Sequence, residues 1–423
     1  MCGMGKSGAA AARLALGLGH GVTVADTRDS EAVRKLGAEL ERAGVEVAYG
    51  ARSVPEGSFE VAVVSPGLAP DDALLEGVRG RGIRMESEVD WGWRHRGAGV
   101  RTLAVTGSNG KTSVVRALAE ILGGEGGAAV ACGNYGLPVS EAVGQVGAGG
   151  WLVVELSSFQ METTEALRPD IAVLLNLLPN HLDRHGSMGE YMRLKSKMFA
   201  RQGAGDAAVV PADARELSGL EPLIPDGVRT VRFDGVLPAE ITGSYFDNAV
   251  LRTAAGAIWA AARAAGVADE RIQSVLKAFE GLPHRNRLVR TWRDVRLVDD
   301  SKATNLAAMV AGLRMQPEGG KIRLIAGGRP KETDFSGARE ELGRRVARCY
   351  LIGEAASAFA ASWEGVVPCE VCGTLEVAFA RATAEAKPGE TVLLAPACTA
   401  FDQFASYAER GRRFEELAEG VGG

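Results

Sequence analysis

A chain of 423 residues exceeds the roughly 250–300 at which one hydrophobic core stops growing, so two or three domains are expected. Its 46% hydrophobic and 24% charged residues suit ordinary globular cores, and 55 glycines without a repeating period exclude a collagen-like fibre. A formal net charge of -5 excludes broad electrostatic attraction to nucleic acid or an acidic membrane, while a local cluster can still hold a phosphorylated small molecule.

The first block, 1–97, opens with Gly3-Met4-Gly5-Lys6-Ser7-Gly8 and an alanine-rich helix. A β run at Val22–Ala25 ends in Asp26-Thr27-Arg28, and a second at Val61–Val64 ends in Ser65-Pro66-Gly67. Strand, glycine turn and helix in repetition predict a parallel sheet covered by helices. A glycine turn of this kind normally follows a full strand, yet only Met1 and Cys2 precede Gly3, so the first strand is expected to be very short or to start upstream. Glycines that admit a diphosphate, with Asp26 placed to reach a ribose or base, suggest nucleotide binding, which a nicotinamide-dependent oxidoreductase would share.

The second block, 98–289, begins with a strand at Val100–Val105, then Gly107-Ser108-Asn109-Gly110-Lys111-Thr112-Ser113, then a helix from Lys111. Backbone amides freed by the glycines can surround phosphate oxygens, Lys111 can span the outer phosphates, and the Thr112 hydroxyl can ligate magnesium. Gly107 lies only three residues before Gly110, so the segment is shorter than the general phosphate-loop pattern. A second phosphate site of this kind favours ATP chemistry over hydride transfer. Glu155 ends the strand Trp151–Glu155, where a carboxylate beside a phosphate loop can hold a cation. His181-Leu182-Asp183-Arg184-His185 follows the strand Ile171–Leu175, and Asn176 interrupts the apolar stretch Ile171–Leu178. A helix over Met188–Phe199 carries Lys195, which on residue type alone reads as a solvated lysine; another is expected over Thr253–Ala265 after an irregular stretch at 237–247.

The third block, 290–423, has β runs at Val295–Val298, Arg323–Ile325, Tyr350–Ile352 and Thr391–Leu394 separated by apolar helices. Cys369 and Cys372 have the spacing of half a zinc or redox motif, but no histidine or second close pair accompanies them. With Cys2, Cys132, Cys349 and Cys398, the six cysteines are too sparse for a disulfide scaffold and suggest a reducing, cytoplasmic setting. No run of about twenty apolar residues and no secretion leader is expected to take the chain into or across a membrane. Arg344, Arg345 and Arg348 read as solvated helix faces.

In order along the chain, these motifs resemble those of the Mur ligases. The carriers are Gly107–Ser113, Gly133-Asn134-Tyr135-Gly136 with Pro138, Glu155-Leu156-Ser157-Ser158-Phe159-Gln160, and Asn180-His181-Leu182-Asp183 with Tyr191 and Lys195. His284-Arg285, Asp300-Ser301-Lys302-Ala303-Thr304-Asn305, Gly327-Gly328 with Lys331, and Pro396-Ala397-Cys398 with Phe401-Asp402-Gln403-Phe404 continue the likeness and point to the branch that adds D-glutamate. The resemblance implies an α/β chain of three domains: Rossmann-like, central P-loop ATPase-like, and C-terminal Rossmann-like. It implies ATP and magnesium, UDP-N-acetylmuramoyl-L-alanine and D-glutamate as substrates, a monomer, and amide formation through an acyl phosphate. Gly107–Ser113, Asn248, Arg285 and Asp300 would then contact ATP. Gly5, Lys6, Ser7, Asp26, Thr27, Arg28, Asn134, Ser157 and His181 would contact the UDP substrate. Lys302, Thr304, Lys331, Thr399 and Tyr407 would contact D-glutamate. Lys111, Glu155, His181 and Lys195 would serve catalysis, with Thr112, Glu155, His181 and Lys195, the last as a carbamate, around the metal. Four positions depart from the branch pattern: Ala400 replaces a serine, Tyr407 a phenylalanine, Asp247 a histidine and Arg287 a glutamate.

Overall fold

The structure is a computed structural model describing every residue except 70, 125–126, 179–181, 213–218, 220–222, 237–240, 243, 249 and 423, and the side chains of 182 and 183. The chain divides into two compact units, one of Met1–Thr242 with Thr253–Ala278, the other of Gly243–Arg252 with Phe279–Gly423.

The first unit holds a small amino-terminal sheet and a six-stranded one. At its amino end β1 (Thr23–Asp26) pairs in parallel with β2 (Glu46–Tyr49), and β3 (Val61–Val64) with β4 (Arg84–Ser87). Ahead of the glycine turn, Cys2 forms parallel bridges to both Ala25 and Val64 and so joins the two pairs. The Met1 ammonium donates to the Thr23 carbonyl at 2.7 Å, and burial pulls its proton affinity down. The helix Lys6–Gly17 leaves directly from the glycine turn. A Cβ at Gly8 would lie 2.0 Å from the Gly3 carbonyl oxygen, so only glycine lets the helix sit on the turn backbone to backbone.

The second sheet of this unit runs β10-β9-β8-β5-β7-β6, entirely parallel, from β5 (Arg101–Thr106), β6 (Ala129–Gly133), β7 (Trp151–Glu155), β8 (Ile171–Leu174), β9 (Ala207–Pro211) and β10 (Arg229–Phe233). Strands β7 and β8 are buried throughout, as expected of parallel strands covered on both faces. Because β5 lies between β7 and β8, the loops after these three strands open onto one crevice at the carboxyl edge.

The two sheets are locked together through the helix Glu88–Arg94. Ser87 caps it by accepting from the Asp90 amide, and the buried Glu88 carboxylate accepts from the Ser140 amide at 2.7 Å. The two Asp90 oxygens accept from the amides of Glu165 and Leu167 at 2.6 and 2.9 Å. A Cβ at Gly92 would fall 2.5 Å from the Ser140 nitrogen, so the helix and the 139–140 segment are in backbone contact.

The second unit is built on β11 (Arg287–Trp292), β12 (Val295–Asp299), β13 (Ile322–Gly327), β14 (Val346–Ile352), β15 (Cys369–Gly373) and β16 (Thr391–Leu394). They are ordered β11-β12-β16-β13-β14-β15, with only β11 antiparallel. One apolar cluster around Leu324, Leu351, Phe359 and Trp363 and another around Ile325, Tyr350, Phe379 and Phe414 fill the two faces. Arg345 is buried against Glu341 and Glu318, which corrects the solvated reading of that residue; its neighbour Arg344 is exposed. Cys369 and Cys372 are free thiols on the edge strand β15. Among the described residues, no helix is long and apolar enough to cross a membrane.

Candidate functional site

Gly107–Ser113 forms the turn from β5 into the helix Lys111–Leu122. Gly107 has φ +154 and Gly110, the helix N-cap, φ +84 with no side-chain cap, which leaves the helix amino end open to an anion. A Cβ at Gly107 would stand 2.9 Å from Leu175 Cβ, so the loop lies close against the end of β8. Lys111 Nζ donates to its own loop, to the carbonyls of Gly107 at 2.8 Å and Ser108 at 3.0 Å.

Asn176, read in the sequence only as an interruption of an apolar stretch, is the main buttress of this loop. Its Oδ1 accepts from the Ser108 and Asn109 amides at 3.0 and 2.9 Å, and its Nδ2 donates to the Asn109 carbonyl. Ser108 Oγ in turn accepts from the Leu178 amide and lies 3.1 Å from the Tyr191 hydroxyl. An asparagine directly after a β-strand facing a phosphate loop was the signal that could have revealed it.

Lys195 is not solvated. It is 1% exposed, lies over the Tyr191 ring, and donates to the Gly107 carbonyl at 2.9 Å and to Thr106 Oγ1 at 3.3 Å. Burial first, and then the Lys111 charge, lower its pKa to about 6, against the opposing pull of Glu155. Glu155, also buried, accepts from Asn134 Nδ2 at 2.7 Å through Oε1, while its buried Oε2 has no hydrogen-bond partner among the described residues. A desolvated carboxylate oxygen without a partner is costly unless a cation meets it. With the Thr112 hydroxyl in the same loop, the donors are hard oxygens, the set that suits magnesium. His181 lies outside the described residues. Ser157 caps the next helix in a capping box with Gln160, and His185 Nε2 lies 3.0 Å from Ser158 Oγ, with burial lowering its pKa.

At the amino-terminal sheet, Asp26 is buried at the end of β1. Its Oδ2 accepts from the Met4 amide at 2.6 Å, and Arg28 grips both oxygens with Nε and Nη2. Burial alone would raise its pKa, but these hydrogen bonds prevail and hold it below the usual carboxylate range. Thr27 is exposed beside it, and Gly5, Lys6 and Ser7 begin the uncapped helix.

The other predicted residues belong to the second unit. Asp299 ends β12 and Asp300 follows it. Asp299 accepts from the Ser301 amide and from His284 Nδ1 at 2.6 Å, and Glu415 lies 3.7 Å from the same nitrogen. Arg287 pairs with Glu415 at 2.9 Å, which gives that departure a local role. His284 and Asn286 flank Arg285 at φ 59 and 46, in the left-handed region that histidine and asparagine enter more readily than other non-glycine residues. Asp300 accepts from the Asn286 amide, and burial, reinforced by Asp299, pushes its pKa up to about 8. Asn248 spends its side chain on the amides of Val250 and Leu251 at the start of the helix Arg252–Ala264, and Asp247 pairs with Arg252. Lys302 lies 4.0 Å over the Tyr407 ring, Thr304 donates its amide to the Lys302 carbonyl, and Lys331 is exposed. Thr399 donates its hydroxyl to the Arg329 carbonyl across a two-residue bridge. Ala400 is buried and offers no polar group.

The Mur ligase middle domain model matches residues 105–234, and the Mur ligase glutamate ligase domain model matches 284–398. The UDP-N-acetylmuramoylalanine--D-glutamate ligase of Rubrobacter xylanophilus is 39% identical, over 99% of this chain and 97% of its own. That of Acidobacterium capsulatum is 37% identical, over 98% and 94%. Among solved structures, MurF from Acinetobacter baumannii shares the fold at a TM-score of 0.62 with 17% identity, covering 94% of this chain and 90% of its own. The UDP-N-acetylmuramate-alanine ligase of Thermotoga maritima does so at 0.58 with 16% identity, over 99% and 98%. Identity of this order along almost the full length of both relatives, with the short phosphate loop inside one matched model and the glycine pair after β13 inside the other, has a plain reading: the chain belongs to the Mur ligase family.

Proposed function

We propose that the protein joins D-glutamate to the alanyl carboxylate of UDP-N-acetylmuramoyl-L-alanine, with ATP converted to ADP and phosphate. The single observation that carries the reading is the cluster at the carboxyl edge of β5 and β7. There a phosphate loop closed by Lys111, a buried carboxylate oxygen of Glu155 without a partner among the described residues, and a near-neutral Lys195 stand together. The relatives named for this reaction, matched along nearly their whole length, support the choice of substrates.

In this reading a substrate carboxylate oxygen attacks the γ-phosphorus of ATP and ADP leaves, giving an acyl phosphate. The glutamate amine then attacks the acyl carbon, loses a proton, and expels phosphate from the tetrahedral adduct. Lys111 exchanges its bonds to the loop carbonyls for bonds to phosphoryl oxygens and stabilises the charge that develops there. Thr112, Glu155, His181 and Lys195 would hold magnesium, which would neutralise phosphate charge when bound. Lys195 acts as a carbamate: its uncharged amine adds to carbon dioxide and releases a proton, so a neutral amine becomes an anionic oxygen donor. Asp26, Thr27 and Arg28 hold the uridine end, with Gly5, Lys6, Ser7, Asn134 and Ser157 along the rest of that substrate. Asn248, Arg285 and Asp300 meet ATP, while Lys302, Thr304, Lys331, Thr399 and Tyr407 receive the amino acid. The protein works as a monomer, and the three substrate-handling blocks are domains 1–97, 98–289 and 290–423.

The test is phosphate release from magnesium-ATP with UDP-N-acetylmuramoyl-L-alanine, adding D-glutamate, L-glutamate or other amino acids one at a time. Release with D-glutamate alone, with the product heavier by one glutamyl residue, is the expected result. Release with a different amino acid would show that the buried Ala400 marks altered specificity, and no release with any would overturn the reading.

A further inference from the structure

The helix Tyr407–Gly420 carries a residue to which no role has been given. Arg410 is 1% exposed, and its hydrogen-bond partners among the described residues are one hydroxyl and four carbonyl oxygens. Nε donates to Ser301 Oγ at 3.0 Å, and Nη2 to the carbonyls of Ser301 at 2.9 Å and Cys398 at 3.0 Å. Nη1 reaches the carbonyls of Thr399 at 3.3 Å and Gly327 at 3.4 Å. A guanidinium has five N–H donors, and five oxygens meet them.

Those oxygens lie on three separate loops, at the carboxyl ends of β12, β13 and β16, which are neighbours in the sheet. In a parallel sheet this edge is where ligands bind. The loops are drawn around the guanidinium at backbone distance. A Cβ at Gly328 (φ +128) would stand 2.3 Å from the Thr399 carbonyl oxygen and 3.0 Å from Arg410 Nη1. Ser301 Oγ also donates to the Tyr407 carbonyl at 2.8 Å, which ties the start of the helix into the same knot. An apolar side chain could fill the same space but would leave these five oxygens without the guanidinium donors that meet them, so the residue is there for its hydrogen bonds and not for packing alone. Burial lowers the pKa of Arg410 to about 10, so it remains charged at neutral pH.

We infer that Arg410 is the positioning residue of the amino-acid site, holding the loops that carry Lys302, Lys331 and Thr399, and the first turn that carries Tyr407, in one fixed arrangement. The inference rests on the reading that the second unit receives the incoming amino acid. Lysine at 410 keeps the charge but offers three donors in place of five, so it separates geometry from charge.

The experiment uses full-length Arg410→Lys and Arg410→Ala. The Lys variant is expected to raise KM for D-glutamate by about tenfold to a hundredfold, the scale on which misplaced binding groups act, with KM for ATP and the UDP substrate little changed. Methylguanidinium added to the Ala variant is expected to restore part of the loss. A readout that needs no substrate accompanies it: backbone hydrogen exchange at 299–303, 326–331 and 397–401 should quicken together in both variants. An unchanged glutamate KM in the Lys variant, activity that merely tracks the folded fraction measured by circular dichroism, or unaltered exchange in the three loops would each overturn the proposal. If the unaltered protein ignores glutamate while exchange quickens as expected, the functional reading falls and the positioning role stands.

Discussion

Lys195 lies among groups that disfavour its charge: burial and the Lys111 ammonium outweigh Glu155, and the amine becomes neutral above about 6. Only the neutral amine adds to carbon dioxide. Incubation with isotope-labelled carbon dioxide should therefore give a carbamate carbon signal at pH 8 that fades as pH falls through about 6, and Lys195→Ala should abolish it. The same variant should slow phosphate release by about a hundredfold or more, the scale seen when one charge-stabilising group is removed from a reaction centre. Asp300 shows the opposite shift, a carboxyl raised to about 8 by burial. Its folded form keeps a proton that the unfolded chain releases near pH 4, so stability from this group is present below about 4 and is lost as pH rises towards 8. Asp300→Asn should flatten that decline, raising Tm at pH 8 more than at pH 5, while raising KM for ATP. Equal shifts at both pH values would show that the residue ionises freely in the folded protein. Neither lysine nor aspartate could be read this way from sequence. A lysine on a mostly polar helix and a pair of adjacent aspartates look solvated until the fold shows what covers them.

At the scale of elements, the helix Lys6–Gly17 depends on Gly8 for its seat on the turn, whereas a Cβ at Gly17, at the other end, meets nothing within 4 Å. Gly8→Ala should cost about 2 kcal/mol, within the usual range for a backbone clash, and raise KM for the UDP substrate because the turn and helix start move. Gly17→Ala should be neutral or stabilise by about 0.5 kcal/mol. Thermal unfolding and substrate titration of the two variants would separate a local packing effect from a general glycine effect. Three strands were legible as apolar runs, β3, β7 and β16, which match the bounds read from sequence, whereas the equally buried β9 (Ala-Ala-Val-Val-Pro) was not read. Nor were the half-exposed strands. β2 and β15 mix charged and apolar positions, and β10, Arg-Thr-Val-Arg-Phe, buries only its last residue, so none carries a clear period. The phosphate loop was legible because glycine, lysine and threonine are constrained by chemistry. Its buttress Asn176 was hidden, since its role comes from a neighbouring strand and not from spacing. Arg410 was hidden for the same reason.

For the whole molecule, the residues assigned to phosphate and uridine handling fall in the first unit and those assigned to the amino acid in the second. The division predicts separable defects. Asp26→Asn should raise KM for the UDP substrate and leave KM for glutamate alone, and Lys302→Ala should do the reverse. Steady-state titration of each substrate would decide this, and a defect that spread evenly over all three substrates in both variants would contradict it. The lock through Glu88, Ser87 and Asp90 carries a different consequence, for the way the chain can be divided. A fragment ending at Gly97 would take the two carboxylates away from the amides of Ser140, Glu165 and Leu167 that neutralise them, and leave those amides bare on the other piece. The sequence places a seam there, but the hydrogen bonds run straight across it. The amino-terminal sheet is therefore expected to melt together with the central one in a single cooperative step, and to be sticky and poorly folded when made alone.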